Sequence, residues 1–507
     1  MKKILIVASV LVAVAAHSAA AADFKAGFAR VDITPPLGAF MPGYYQNRYA
    51  TEVLDPLQIN MVAFSDGETT ALVAQFDTEA LSGATADLMR DAITKATGVP
   101  RDAILLHASH THDGANLTAG VKHGSGASHG EKEDPRFREV DRIYRDLAVT
   151  RAQDAAVEAI RDLKPAKLSI ARSRAERISF GRRYLMKDGT VRTNPGTNNP
   201  DIVKPVGTAD DEVQVVRIDR AGGKPIAIVN FQTHPDVVGG TTISADWPGL
   251  TRAVFEAATF GEALCLVVNG TQGDVNHCNV MPRPGELNGL VRDFDAVDRG
   301  YAHAKHMANA LAAAALRVWL KCEAVEAGAV RYAAATVRVP AQKGDVDPKK
   351  DLAWAKDVWA LHEKSVKDGV VATAKDYDTV KYGWKGMDLT TEVARAGRII
   401  NMSTHADYHD LPIVGVSIGS SVSFGGFPGE PFNDIGVAVK AKTPFRMTVL
   451  ACLTNDSLGY FPFSDSYRQG GYESATSPFG PSVADDLVAG QLKLQKELFG
   501  QQKKGTK

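Results

Sequence analysis

Ala103-Ile-Leu-Leu-His-Ala-Ser109 runs directly into His110-Thr-His112-Asp113. An apolar run of strand length that ends in polar, metal-capable side chains is how α/β sheets deliver functional groups from strand C-termini. The same grammar returns along the chain. Ile226 to Phe231 leads to Thr233-His234-Pro-Asp236, and Leu264 to Val268 leads to Asn269-Gly-Thr-Gln-Gly-Asp274. Val422-Ser-Phe424 precedes Pro428-Gly-Glu430, and Met447 to Leu453 precedes Thr454-Asn-Asp456. One such loop means little, but five of them point to a shared cleft. Short apolar runs alternate with helical periodicity at Ala84–Ala96, Asp141–Leu163, Phe294–Leu320 and Val483–Phe499, which favours an α/β architecture over an all-β one. Asp188-Gly189, between Tyr184-Leu-Met186 and Val191, reads as a hairpin turn. No internal repeat is visible. Residues 341–400 differ in tone, with many Lys and Asp and a helical pattern around Asp351–Lys364, and read as a helical insertion.

Composition bounds the function. The chain has 507 residues, 44% hydrophobic, 23% charged and 7% aromatic, which excludes a disordered, collagen-like or disulfide-dense protein. A formal charge of −1, from 58 basic and 59 acidic residues, argues against nucleic acid as a partner. Lys2 and Lys3 precede the apolar run Ile4–Ala16 and a small-residue stretch ending at Ala22, the pattern of a secretory signal peptide over residues 1–22. The mature chain, 23–507, is therefore expected to be exported, periplasmic or secreted, with no transmembrane segment. Export permits disulfides, and Cys265, Cys278, Cys322 and Cys452 allow three complete pairings. Cys265 and Cys452 sit inside apolar runs, where a buried free thiol is expected.

His110 and His112 form an H-x-H pair, and on an extended segment two such imidazoles point to one side. His234 shares their strand-end context. Glu430, between Pro428-Gly429 and Pro431, suits a helix start as well as an oxygen ligand. Two or three His with one carboxylate is a zinc-type set that leaves room for water. Asp274 reads either as a turn residue or as part of an Asp/Asn/His-rich two-metal site. The D-x-H and G-N-H-[DE] pair of metallophosphoesterases is missing, as is the G-x-S-x-G elbow of serine hydrolases.

These loops resemble the catalytic domain of the neutral/alkaline non-lysosomal ceramidase family, zinc amidases that cut the N-acyl bond of ceramide. The resemblance begins at Gly27-Phe-Ala-Arg-Val-Asp-Ile-Thr-Pro35 and Met41-Pro-Gly-Tyr44. It continues through Ser109-His-Thr-His-Asp-Gly114, Thr233-His-Pro235 with Ile243-Ser-Ala-Asp246, Gly273-Asp-Val275 and Pro428-Gly-Glu430. It ends with Asn455–Tyr460 and Gly471-Tyr-Glu-Ser-Ala475, and so spans about residues 25–495. It implies mixed β-sheets with flanking helices in a single catalytic domain, the active site at strand C-terminal ends, and Zn2+ as cofactor. Carried across, the zinc ligands are His110, His234, Glu430 and Tyr460. His112, Arg182 and Tyr472 fall at active-site positions.

Two departures matter. The family's Gly-Asp-x-Ser-Pro-Asn reads Gly273-Asp-Val-Asn276-His-Cys278 here, so an amide stands where the family has a catalytic hydroxyl. Asn276 can donate to an oxyanion but cannot replace a hydroxyl that gives up a proton. The chain also stops soon after Phe499, so the family's C-terminal immunoglobulin-like domain is not expected. The expectation is an exported zinc hydrolase acting on an amide, with ceramide or a smaller, more polar molecule as substrate. The alternatives are a non-catalytic lipid- or glycan-binding protein on the same scaffold, and a metal-dependent hydrolase of phosphoesters or glycosides.

Overall fold

Three successive stretches of this chain fold to one topology. In each, three antiparallel strands are followed by a crossover helix, a fourth strand parallel to the third, and a long helix. The first runs through Lys25–Asp32, Gln58–Ser65 and Thr70–Phe76, crosses over by Gly83–Thr97 to Ile104–Ala108, and is followed by helix Pro135–Arg161. The second uses Lys164–Arg174, Glu212–Arg220 and Ile226–Phe231, then Asp246–Ala258, Leu264–Asn269 and helix Tyr301–Trp319. The third uses Val330–Pro340, Tyr408–Ile418 and Val422–Gly426, then Asn433–Lys442, Met447–Ala451 and helix Val483–Lys504. In each unit the long helix packs on that unit's first two strands. This computed structural model describes residues 24–44, 48–118, 135–286, 291–292, 298–342, 348–368, 389–404 and 406–504. The signal-peptide stretch 1–22 lies outside them.

The first two units join edge to edge where Lys25 and Ala26 pair with Pro165 and Lys164, forming a nine-stranded mixed sheet with Glu323–Val325 added. The third unit is a separate four-stranded sheet. It packs against the first through one hydrophobic core, in which the Phe64 and Phe424 rings stack at 5.5 Å. The expected α/β class with mixed sheets and flanking helices is what forms. The repeat, invisible in the residues, is a repeat of connections only. Strands such as Ile226–Phe231 and Ile104–Ala108 are buried along their whole length, so any apolar sequence satisfies them.

All four expected helices form; two start within a residue of expectation, while Pro135–Arg161 begins six residues earlier and Tyr301–Trp319 seven residues later than the periodicity placed them. Gly83–Thr97 is held at its start by the Ser82 hydroxyl, which accepts from Thr85 N at 3.3 Å, and is ended by Gly98 at φ 77°. Arg183–Met186 pairs with Val191–Thr193 across Gly189, whose φ of 80° makes the Asp-Gly turn possible. Within residues 341–400, helices Pro348–Asp368 and Leu389–Thr404 pack on each other between two strands that pair as neighbours. All four cysteines are free. Among the described residues no helix is long and apolar enough to cross a membrane.

The three fourth strands meet at their C-terminal ends. Ala108 N donates to Leu453 O at 3.2 Å, and Cys452 N to Asn269 O at 3.1 Å. His107 pins the junction: Nδ1 lies 2.6 Å from Cys452 O, and Nε2 accepts from Asn269 N at 3.0 Å. That pattern requires the Nδ1–H tautomer, and burial holds the imidazole neutral, down to about 4. Asn455 adds a bond to Ile104 O and accepts one from Leu106 N.

Candidate metal centre

The junction gathers side chains from all three units. His110 and His112 follow the first unit's fourth strand, while His234 and Glu430 follow the third strands of the second and third units. The H-x-H pair is not on extended backbone as expected. It lies in a loop, and His110 takes φ 74°, a left-handed conformation that costs a non-glycine residue about 1–3 kcal/mol. That backbone, rather than strand alternation, turns both rings inward.

His112 Nε2 lies 3.3 Å from His110 Nε2, and Glu430 Oε2 lies 3.2 Å from both His110 Nε2 and His234 Nε2. A tetrahedral ion bound at about 2.0–2.1 Å sets its donors about 3.3 Å apart along each edge. His110, His112 and His234 are the one group of three among the described residues with ligand atoms close enough to share an ion. The buried His234 Nε2 has Glu430 Oε2 as its polar neighbour, and both face the centre. The other ring nitrogens are tied back. His110 Nδ1 donates to Glu79 O at 2.8 Å and His234 Nδ1 to Gln272 O at 2.9 Å, which fixes both tautomers with Nε2 facing the centre. The residues fit a metal ion that takes mainly nitrogen donors.

Electrostatics bind the same set. Burial pulls His110 down, but the Glu430 and Glu79 carboxylates outweigh it and lift the imidazole to about 9. Burial works against ionised Glu430 too, yet His110 and His234 keep it well below the usual carboxylate value. Burial and His110 hold His112 well below an ordinary histidine.

Glu430 is placed by close backbone contacts. It pairs in parallel with Tyr460, and its N–H donates to Gly459 O at 2.9 Å. A Cβ on Gly429 would stand 2.4 Å from Gly459 O, and one on Gly273 would stand 2.5 Å from Glu430 O, so only glycine fits either position. Pro431 does not open a helix. It continues the short strand, the helix begins at Asn433, and the carboxylate serving that helix start is Asp274, which accepts from Asn433 N at 2.7 Å. Asp274 thus ties the 269–276 loop to the segment that carries Glu430.

The remaining expected residues lie to one side. The Tyr460 hydroxyl hydrogen-bonds Arg182, and its ring lies along His234 at 6.4 Å and edge-on to Tyr472 at 5.7 Å. Arg182 stacks over Tyr460 at 5.4 Å. Asn276 is occupied at both ends: its amide N–H donates to Asn194 Oδ1 at 3.3 Å and its oxygen accepts from Cys278 N at 3.0 Å. Sequence reasoning missed three groups. Gln272 reaches both sides, its carbonyl on His234 and its amide 3.4 Å from Glu430 Oε2. Glu79 stands after the first unit's third strand, as His234 and Glu430 do in theirs, a signal only the recurring topology provides. The third, Glu473, binds Arg182 Nε at 2.6 Å.

No protein-family model matches the chain, and no curated protein does. Among solved structures, the neutral ceramidase from Pseudomonas aeruginosa aligns with 95% of this chain and 75% of its own, at a TM-score of 0.64 and 17% identity. A ceramidase structure described as complexed with C2 aligns with 94% and 76% at a TM-score of 0.63 and 16% identity. The chain has the neutral ceramidase fold. The ceramidase resemblance that the motifs suggest therefore holds for the architecture across nearly all of the chain.

Proposed function

We propose that this protein is an exported zinc-dependent hydrolase that cleaves an amide bond, with an N-acyl-sphingosine or a smaller, more polar relative as substrate. The observation that supports this best is the convergence of His110, His234 and Glu430, with Glu430 Oε2 3.2 Å from both imidazole Nε2 atoms, close to the edge length of a tetrahedral ion. Imidazole-rich donor sets with a single carboxylate suit zinc over magnesium or calcium. The ceramidase fold supports the amide, and the N-terminal segment supports export.

His110, His234 and Glu430 would hold the ion, with Tyr460 as a further oxygen ligand beside Glu430. A zinc ion there would supply a lowered pKa for water and polarisation of a carbonyl. His112 faces the same centre with its Nε2, 3.3 Å from His110 Nε2, where it would accept a proton as general base. Arg182 and Tyr472, packed around Tyr460, donate to the oxygen that gains charge. Asn276, with its amide engaged by Asn194 and Cys278, is proposed as a further N–H donor and not as a source of a transferable proton.

The test is a panel of amides, including N-acyl-sphingosine, alongside esters, phosphoesters and glycosides. Amide hydrolysis that a chelator removes, and that Glu430→Ala abolishes without a change in far-UV circular dichroism, is the expected result. Turnover confined to phosphoesters or glycosides, or full amide turnover in Glu430→Ala, contradicts the assignment.

A further inference from the structure

His110 and His234 are each held at the centre by a carbonyl on Nδ1. Tyr460 is held by a cation instead. Its hydroxyl hydrogen-bonds Arg182, and because arginine carries no acceptor, the phenol oxygen accepts and keeps a second lone pair for a metal. Arg182 is buried, so protein groups rather than bulk water fix it. Its Nη2 donates to Gly273 O at 2.8 Å and its Nε to Glu473 Oε1 at 2.6 Å. Glu473, with no solvent exposure, lies in the short helix Tyr472–Thr476. Its Oε2 accepts from Thr193 Oγ1 at 2.9 Å and faces Arg183 Nε at 3.7 Å, so both carboxylate oxygens are engaged and the orientation of the group is set from two sides. Charge-assisted bonds of this kind are about twice as strong as neutral ones. The same helix opens with Tyr472, whose ring meets Tyr460 edge-on at 5.7 Å, and Ser477, just past its end, donates to Tyr460 O at 2.9 Å.

We infer that Glu473 is a positioning residue of the metal centre: it orients Arg182, which in turn sets the Tyr460 hydroxyl toward the metal. Among the described residues Glu473 is the one carboxylate that bonds Arg182, whose other partners, a carbonyl and a phenol, are neutral. With a neutral amide at position 473 the guanidinium loses its charged anchor, and the phenol oxygen loses its fixed donor. Arg183 does not take over that part, because Ser466 Oγ at 2.8 Å and Gly470 O at 3.2 Å hold it apart. The inference rests on the metal-centre reading above, with Tyr460 among the ligands.

The experiment is zinc titration against a chromophoric chelator, with zinc alone as the probe, on the full mature chain. It compares wild type, Glu473→Gln, Tyr460→Phe and the double variant. Glu473→Gln is expected to weaken zinc binding about 10- to 100-fold, the range for residues that orient metal ligands. Tyr460→Phe removes the oxygen itself and is expected to weaken binding at least as much. The double variant is then expected to match Tyr460→Phe to within about 2-fold, because Glu473 has no hydroxyl left to position. A merely structural role makes the two losses multiply instead. Multiplying losses, or unchanged affinity in Glu473→Gln or in Tyr460→Phe, overturn the inference and leave His110, His234 and Glu430 standing as the metal set. If Glu473→Gln does not fold, Arg182→Met takes its place in the same cycle, with the same non-multiplying loss expected and multiplying losses again overturning the inference. A wild type that binds no zinc overturns both the inference and the reading beneath it.

Discussion

Replacing His107 with Leu tests whether the three units are pinned by one imidazole. The substitution keeps an apolar side chain of moderate size but strands the buried Asn269 N–H, which His107 accepts from at 3.0 Å, while Cys452 C=O loses its 2.6 Å bond yet still accepts from Thr454 Oγ1 at 3.1 Å. A stranded group costs about 1–3 kcal/mol and a lost hydrogen bond to a group that keeps another about 1 kcal/mol, so the variant is expected to lose about 2–4 kcal/mol at pH 8. The pH dependence gives a sharper signature. His107 titrates at about 4 in the folded chain against 6.5 when unperturbed. A histidine whose folded value is depressed contributes stability that is complete above the unfolded value and is lost as pH falls through the folded one. Over that window the wild type is expected to give up about 3 kcal/mol from this residue, at 1.36 kcal/mol for each pKa unit. The Leu variant has no such group, so the stability gap between the two proteins narrows from pH 7 to pH 4. Urea unfolding followed by fluorescence at several pH values reads both quantities. A gap below about 1 kcal/mol at pH 8, or one that is flat with pH, refutes the view that His107 is a neutral double bridge.

Two further outcomes follow from buried polar contacts. Arg252 pairs with Asp77 at 2.5 Å and bonds Gln75 at 2.9 Å, all nearly inaccessible to water, so Arg252→Met is expected to cost about 3–5 kcal/mol in denaturant unfolding; a loss below about 1 kcal/mol would show the pair to be dispensable. Gln272→Ala removes the amide next to Glu430 but keeps the carbonyl on His234, so zinc affinity by chelator competition should fall about 10-fold while stability changes little; unchanged affinity would sink the role given to that side chain.

Much of this architecture was legible because it is written in burial. Ile226–Phe231 and Leu264–Asn269 are mostly apolar since both faces of those strands are covered, and polar residues gather toward the ends where the strands leave the sheet. That is why His110, His234 and Glu430 stood out, separated by hundreds of residues yet alike in context. What stayed hidden depends on geometry or on distant partners. The positive φ of His110 has no residue signature, since the left-handed region usually selects Gly or Asn. Glu473 finds Arg182 across 291 positions and looks like any helix-start acid until the chain is folded. Asp274 was read as a turn or a metal residue, yet its partner is the first N–H of a helix far along the chain. The threefold recurrence is carried by connection order, which pattern reading along one chain does not detect when no residues repeat.

The central claim is that His110, His234 and Glu430 form a zinc site, and metal analysis of the purified mature protein tests it most directly. Plasma emission spectrometry on wild type and His234→Ala is expected to give about one zinc per wild-type chain and a small fraction of that in the variant, with both equally folded. A wild type that stays metal-free after zinc is added back, or a His234→Ala chain that keeps its full complement, contradicts the account.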